Sequence, residues 1–233
     1  MKTLDISKYI IYEDNHIIVC NKPEGILSQE DKTKDPDMVN LLKDYLKEKY
    51  QKPGNVYVGL VHRLDKRVSG VMVFAKTSKG ASRLSSLVRN HELKKEYLAL
   101  VSGEVTKPKT LKTNIKKVDT KAISSDDGKE AILEYFPLKK VIINNKPFTF
   151  LKIDLITGRF NQIRMQLALD NHPIINDFKY GYQGKKQNDY VPLGLYCVKL
   201  SFPHPITKEI QTYYMSKDLF AFNDVMDLEA IYE

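Results

Sequence analysis

The sequence has little cysteine and no long apolar run, and both absences exclude whole classes of protein. Cys20 and Cys197 are its only cysteines, too few for a disulfide-stapled fold, and no cysteines and histidines stand at zinc-site spacing. The longest apolar runs, such as residues 71–75, are far shorter than the roughly 20 residues that cross a bilayer. The N-terminus shows no apolar segment of signal-peptide length. We therefore expect a cytoplasmic protein that is not attached to a membrane.

Several motifs of common enzymes are also lacking. The sequence contains no internal repeat, no low-complexity tract, no glycine-rich phosphate loop and no Gly-x-Ser-x-Gly elbow. The sequence thus offers no motif of a phosphate-binding loop or of a serine hydrolase.

The chain is long and basic. Its 233 residues are enough for one large domain with a sizeable core, and we expect residues 1–233 to form a single domain. Lys and Arg number 37 against 29 Asp and Glu, which gives a net charge of +8. A charge of this sign favours a polyanionic partner such as nucleic acid, although many soluble proteins are as basic.

Apolar periodicity predicts an α+β fold with a mixed, largely antiparallel sheet and a few packed helices. Short apolar or alternating segments bounded by turn residues predict strands at 16–20, 95–101, 131–143, 148–156, 195–202 and 211–215. Helical spacing predicts one helix from Met38, a second capped by Thr77 or Ser78, and a third over residues 160–168. Asp35 is expected to cap the first helix, with Pro36 at its first helical position.

The lysine-rich segment 107–129 contains turn residues and is predicted to be a polar connection. It is either a flap that faces an RNA ligand or a mobile loop that is polar only for solvation.

Residues 61–70, with the sequence Val-His-Arg-Leu-Asp-Lys-Arg-Val-Ser-Gly, place an acid and several bases between two β-leaning segments. We interpret this stretch as an active-site loop with Asp65 as its central residue. Taken alone, the pattern also fits a charged turn in which Asp65 pairs with Arg63 or Arg67.

The run His62-Arg63-Leu64-Asp65, followed by Ser69-Gly70, resembles the signature of the RluA family of RNA pseudouridine synthases. Three further stretches resemble that family in the same order along the chain. They are residues 12–25, residues 94–101, and residues 157–164 together with 172–174 and 177–181. Four motifs in sequence identify the chain as a member of the family.

The resemblance implies the pseudouridine synthase fold and the isomerisation of uridine, flipped out of tRNA or rRNA, to pseudouridine. Asp65 would be the nucleophile, Tyr97 the active-site aromatic residue and Arg164 the basic partner of the aspartate. The residues expected to contact RNA are His62, Arg63, Leu64, Arg67, Arg159 and Gln162. No metal, nucleotide or redox cofactor would be needed, and the protein would be a monomer without a preceding S4 RNA-binding domain.

Three asparagines depart from the family pattern. Histidine is usual at Asn161, and glycine is usual at Asn171 and Asn176. Because asparagine can form hydrogen bonds and tolerates positive φ better than most residues, we expect these changes to be compatible with the fold.

Two other classes of function remain open. A non-catalytic RNA-binding module or RNA chaperone would keep the basic surface but could dispense with Asp65. A carboxylate glycosidase would need a second acid near Asp65, and Glu96 and Asp177 are the candidates by residue type.

Overall fold

The computed structural model describes residues 4–184 and 192–232. The chain forms two compact units, one made of Met1–Leu93 with Lys199–Leu219 and the other of Lys94–Val198 with Phe220–Glu233. The expectation of a single domain stays a prediction. In the part of the chain that the structure describes, no helix is long and apolar enough to span a membrane.

The secondary structure is α+β, as predicted. The strands are β1 (Ile10–Glu13), β2 (Ile17–Lys22), β3 (Gly59–Leu60), β4 (Ser69–Ala75), β5 (Lys94–Ser102), β6 (Lys109–Val118), β7 (Lys121–Ser124), β8 (Lys129–Ile143), β9 (Lys146–Leu155), β10 (Leu195–Pro203) and β11 (Ile210–Tyr214). The helices are α1 (Met38–Lys49), α2 (Ser78–Arg89) and α3 (Gln162–Leu169).

The first unit is built on two fully buried strands. β2 pairs antiparallel with β1 and with β4, and β3 also pairs antiparallel with β4. Every residue of β2 and of β4 is buried. A strand covered on both faces needs apolar residues on both, which explains why these segments read as continuous apolar runs rather than alternating ones.

The predicted cap of α1 is wrong by two residues. Asp37, not Asp35, precedes the helix and accepts a hydrogen bond from the backbone N–H of Asn40 at 3.1 Å. Pro36 therefore lies before the cap, and the Asp35 carboxylate instead binds the Lys66 ammonium at 2.5 Å. Two neighbouring aspartates can each cap a helix, so residue type alone does not separate them.

The cap of α2 is as predicted. The Thr77 hydroxyl accepts a hydrogen bond from the N–H of Gly80 at 3.0 Å.

The second unit contains an antiparallel sheet with the strand order β5-β9-β8-β6-β7. The predicted hairpin is β8 with β9, and it turns at Asn144 and Asn145, both with positive φ (50° and 59°). Two consecutive residues with positive φ are what a tight two-residue hairpin turn requires.

Segment 107–129 is not a polar loop, which corrects that part of the sequence analysis. It holds β6 and β7, with β6 paired to both β7 and β8. Ile115 of β6 and Ala122 of β7 pack in an apolar cluster with Ala131, Met165 and Tyr180. These few apolar residues among many lysines are enough to fix the hairpin, and their alternation was obscured by the number of charges.

The three asparagines that depart from the family pattern all have positive φ. The values are 49° for Asn161, 65° for Asn171 and 65° for Asn176. Asn171 follows the end of α3, where its N–H donates to Ala168 and the N–H of His172 donates to Leu167. This is a Schellman ending, for which glycine is the usual residue and asparagine the next best. The asparagines thus occupy positions of positive φ, which this residue type tolerates better than most.

Candidate active site

The Asp65 carboxylate is oriented by the backbone of its own loop. Asp65 is half-buried in the connection between β3 and β4. Its Oδ1 accepts a hydrogen bond from the N–H of Arg67 at 3.0 Å, and its carbonyl accepts from the N–H of Val68 at 3.0 Å. An aspartate that bonds the backbone two residues ahead forms a local turn, so its side chain is held in one direction.

The segment before α1 braces the loop on both sides of Asp65. The Ser28 hydroxyl donates to the carbonyl of Leu64 at 2.8 Å and accepts from the Leu64 N–H at 3.0 Å. The N–H of Gly25 donates to the carbonyl of Lys66 at 2.8 Å. Gly25 has φ +84°, a conformation that costs glycine little and other residues more. The structure thus brings together the first two motifs that the sequence analysis identified.

A buried lysine joins the turn after β2 to the Asp65 loop. Lys22 has no exposed surface, and its Nζ donates to the carbonyls of Pro23 at 3.0 Å, Ile26 at 2.8 Å and Lys66 at 3.3 Å. Burial lowers its pKa to about 7, and the negative charges of Asp65 and Glu24 oppose that lowering. The sequence analysis did not single out Lys22. The available signal was a charged residue directly after an apolar strand and directly before a proline.

The other predicted residues of the loop differ in exposure. His62 is buried, and its Nε2 accepts a hydrogen bond from the N–H of Val73 at 3.1 Å. Leu64 is buried, Arg67 is half-buried and Arg63 is exposed. His62 and Leu64 therefore pack the loop into the interior of the first unit. Contact of these four residues with RNA stays a prediction.

Tyr97 lies in the second unit, on β5 opposite Ile153 of β9. Only 5% of its surface is exposed. Burial raises the pKa of its hydroxyl well above the usual value, and the neighbouring Cys197, to which the hydroxyl is hydrogen-bonded, adds to the rise. The hydroxyl is therefore protonated at neutral pH and is not set up as a phenolate base.

Arg164 lies in α3 and has a buried carboxylate partner. Its Nε donates to Oδ2 of Asp177 and its Nη2 donates to Oδ1, each at 2.7 Å. The guanidinium carbon lies 5.0 Å from the centre of the Tyr180 ring. Arg164 is 5% exposed and Asp177 is completely buried.

Two further residues predicted to contact RNA have structural partners. Gln162 is buried, and its Oε1 accepts from the Thr157 hydroxyl and from the N–H of Arg159, both at 2.9 Å. Its Nε2 donates to the carbonyl of Ile132 at 3.1 Å. Arg159 is exposed, and its Nε donates to the carbonyl of Glu130 at 2.8 Å. These bonds shape the turn between β9 and α3, and RNA contact by either residue stays a prediction.

The predicted catalytic residues are divided between the two units. Asp65 belongs to the first unit, where it is assembled with Ser28 and Lys22, whereas Tyr97 and Arg164 belong to the second.

Comparison with protein families decides the identity of the chain. Residues 16–169 match the family described as RNA pseudouridylate synthase. This chain belongs to the RluA family of RNA pseudouridine synthases. The match runs through the motifs that carried the resemblance as far as α3.

Named relatives cover most of this synthase-family chain. It is 35% identical over 218 residues to the ribosomal large subunit pseudouridine synthase C of Buchnera aphidicola subsp. Baizongia pistaciae, covering 86% of this chain and 64% of the relative. It is 31% identical over 221 residues to the tRNA pseudouridine synthase C of Vibrio parahaemolyticus, covering 86% of each. The chain thus spans less than two thirds of the length of the first relative.

Solved structures show the same fold. The structure of Human RNA Pseudouridylate Synthase Domain Containing 4 matches with a TM-score of 0.74 and 21% identity, covering 92% of this chain and 91% of the other. Human RNA Pseudouridylate Synthase Domain Containing 1 also gives 0.74, at 19% identity, with 98% and 90% covered. The predicted pseudouridine synthase fold is confirmed.

Asp177 is poorly suited to be the second acid of a glycosidase. A general acid must carry a proton that it can deliver to the leaving group. Both Asp177 oxygens instead accept hydrogen bonds from the Arg164 guanidinium in a buried site. This geometry argues against the glycosidase alternative as far as Asp177 is concerned.

The lowered pKa of Lys22 predicts a pH-dependent stability. Between its folded pKa of about 7 and its ordinary value of 10.5, the unfolded chain binds a proton that the folded protein does not. The free energy of unfolding should therefore rise with pH across this window, by at most about 1.4 kcal/mol per pH unit. In Lys22→Met this contribution should be absent, which urea unfolding at several pH values from 7 upward would measure.

Lys47→Met is the matched control, because Lys47 is an exposed lysine of α1. It should leave the pH slope of the wild-type protein unchanged. An identical slope in wild type and Lys22→Met would show that Lys22 does not titrate in this range.

Proposed function

We propose that this protein converts uridine to pseudouridine in RNA, with Asp65 as the nucleophile. The observation that carries the proposal is the Asp65 loop of a pseudouridine synthase family member. Its half-buried carboxylate is held by the backbone, and the loop is fixed by Ser28 and Lys22. A reactive group held on a rigid support is what catalysis by positioning requires.

The proposed reaction needs one carboxylate that forms and then releases a covalent bond. An Asp65 oxygen bonds to C1′ as the C1′–N1 bond breaks, and the bonding electrons leave with the uracil ring. After the ring rotates, C5 bonds to C1′ and the ester to Asp65 breaks, which regenerates the carboxylate. The hydrogen on C5 leaves as a proton and N1 takes up a proton, so the product is an isomer of the substrate.

Tyr97 is proposed to hold the flipped-out base, and Arg164 is proposed to supply a positive charge for the anionic nucleophile. The target base must leave its stack, and an aromatic face contributes on the order of 1–3 kcal/mol per stacked base. Because Tyr97 is buried, the base would stack on the small part of the ring that is exposed. Arg164 supplies the positive charge that accompanies the anionic nucleophile, as the family resemblance implies.

The proposed substrate is a structured RNA, either tRNA or rRNA. Support comes from the net charge of +8 and from the exposed Arg63 and Arg159, which can contact phosphates. The names of the relatives include both a ribosomal and a tRNA enzyme, so they support the class of substrate and not one RNA.

Asp65→Asn should abolish the reaction and leave RNA binding within a few-fold of wild type. Asparagine keeps the size of the side chain and an oxygen that can accept from Arg67, but it lacks the anion that attacks C1′. Release of tritium from RNA labelled at uridine C5 measures the reaction, since isomerisation expels that hydrogen. A filter-binding assay with the same RNA measures affinity.

Comparable tritium release by Asp65→Asn would show that Asp65 is not the nucleophile. Release by neither protein from any cellular RNA fraction, with binding intact, would favour the non-catalytic RNA-binding alternative.

Tyr97→Ala should slow tritium release far more than Tyr97→Phe, because phenylalanine keeps the ring that stacks on the base. From the stacking energy we expect a loss of about 10-fold to 100-fold for alanine and a few-fold for phenylalanine. Cys197→Ala is the matched control, since it removes the partner of the Tyr97 hydroxyl and leaves the tyrosine itself unchanged. Equal damage from both Tyr97 variants would identify the hydroxyl, not the ring, as the working group.

A further inference from the structure

We propose that Asp177 is a positioning residue that acts through Arg164. It fixes the plane and direction of the guanidinium and thereby sets the geometry in which Arg164 serves the reaction. The inference rests on the proposed function of Arg164 and adds a residue to it.

The two hydrogen bonds between these side chains determine how the guanidinium is turned. A guanidinium has five N–H groups in one plane. Asp177 binds the edge that carries Nε and Nη2, with both distances at 2.7 Å. A two-point contact of this kind opposes both rotation about the side-chain axis and a tilt out of the carboxylate plane. The Nη1 group is consequently directed to the side opposite Asp177.

Tyr180 makes a further contact with Arg164, because the guanidinium carbon lies over the Tyr180 ring, 5.0 Å from the ring centre. The Tyr180 hydroxyl accepts hydrogen bonds from the N–H of Ala122 at 2.8 Å and from Nδ2 of Asn161 at 3.1 Å. Arg164 is thus held at one edge by Asp177, and it lies over a ring that is itself anchored to β7.

Stability alone does not account for such a pair. Arg164 lies in a run of six buried residues of α3, residues 162–167, three of which are apolar and none of which, apart from Arg164, is charged. Replacing a buried ion pair by well-packed apolar side chains is often neutral or stabilising, so a buried pair is weak support for a purely structural role. A buried guanidinium that is fixed by two hydrogen bonds is better explained if the reaction requires the guanidinium to point in one direction.

The first test is Asp177→Asn. Asparagine keeps the size of the side chain, but only one of its two polar atoms can accept, so one of the two bonds to Arg164 is lost. We expect the single-turnover rate of tritium release at saturating RNA to fall on the order of 100-fold, the effect of a misplaced catalytic group. The dissociation constant for RNA should stay within a few-fold of wild type, which separates the loss from a failure to bind.

Asp170→Asn is the matched control. Asp170 follows the other end of α3, is paired with Lys109 and accepts from the Tyr135 hydroxyl at 2.8 Å. The Asp170→Asn substitution removes one negative charge from the same unit, as Asp177→Asn does, but at a residue that is not bonded to Arg164. The turnover of Asp170→Asn should therefore stay within a few-fold of wild type. An equal loss in both variants would contradict the proposal and indicate a general effect on the unit.

A double variant tests whether Asp177 acts through Arg164. If it does, Arg164→Ala combined with Asp177→Asn should turn over no more slowly than Arg164→Ala alone. A multiplied loss would overturn the proposal by giving Asp177 a role of its own. If Asp177→Asn does not fold, Asp177→Glu keeps the charge but displaces the carboxylate by one methylene. The proposal then requires at least a 10-fold loss of turnover in this variant, and wild-type turnover would refute it.

The outcomes separate this inference from the proposed function. Wild-type turnover in Arg164→Ala would remove Arg164 from the mechanism and the positioning role with it. A severe loss in Arg164→Ala beside full turnover in Asp177→Asn would leave the proposed function standing and refute the positioning role.

Discussion

The first unit depends on how it accommodates the fully buried amino group of Lys22. Whether charged or neutral, this group needs hydrogen-bond acceptors, because a buried polar group without a partner costs free energy. Its three acceptors are carbonyls of the turn after β2 and of Lys66, the residue after Asp65. One side chain therefore ties the turn at residues 23–26 to the loop that carries the acid. The positive φ of Gly25 and the two hydrogen bonds of Ser28 follow from the same close approach of two chain segments.

The second unit also buries a charged group, the Arg164 guanidinium, and pairs it with a carboxylate. Arg164 lies among apolar residues of α3, and Asp177 supplies the compensating charge together with a fixed direction. The residues around this pair come from the turn before α3, the segment after it and β7, with Asn161 and Tyr180 among them. The fourth motif of the sequence analysis, which includes residues 157–164 and 177–181, thus contains side chains that contact one another.

Much of the fold could be predicted because local patterns were strong. The buried strands, the β8–β9 hairpin and the Thr77 cap follow from apolar runs and turn chemistry, whereas the role of Asp65, which was inferred from its motif, stays a prediction. Segment 107–129 was missed because its apolar residues are few among lysines, although they suffice to pack against Tyr180. The sequence analysis did not single out Lys22 and named Asp177 only as a candidate second acid. Their burial depends on partners elsewhere in the chain, such as Lys66 and Arg164, and a local pattern does not show which charges will be buried together.

The central claim is that this protein makes pseudouridine in RNA. The most direct test is to incubate the purified protein with total RNA from cells that lack it and to map pseudouridine at single-nucleotide resolution before and after. We expect that one uridine, or a small set of uridines in tRNA or rRNA, is converted by the protein without any other protein present. RNA that binds the protein but gains no pseudouridine at any position would contradict it.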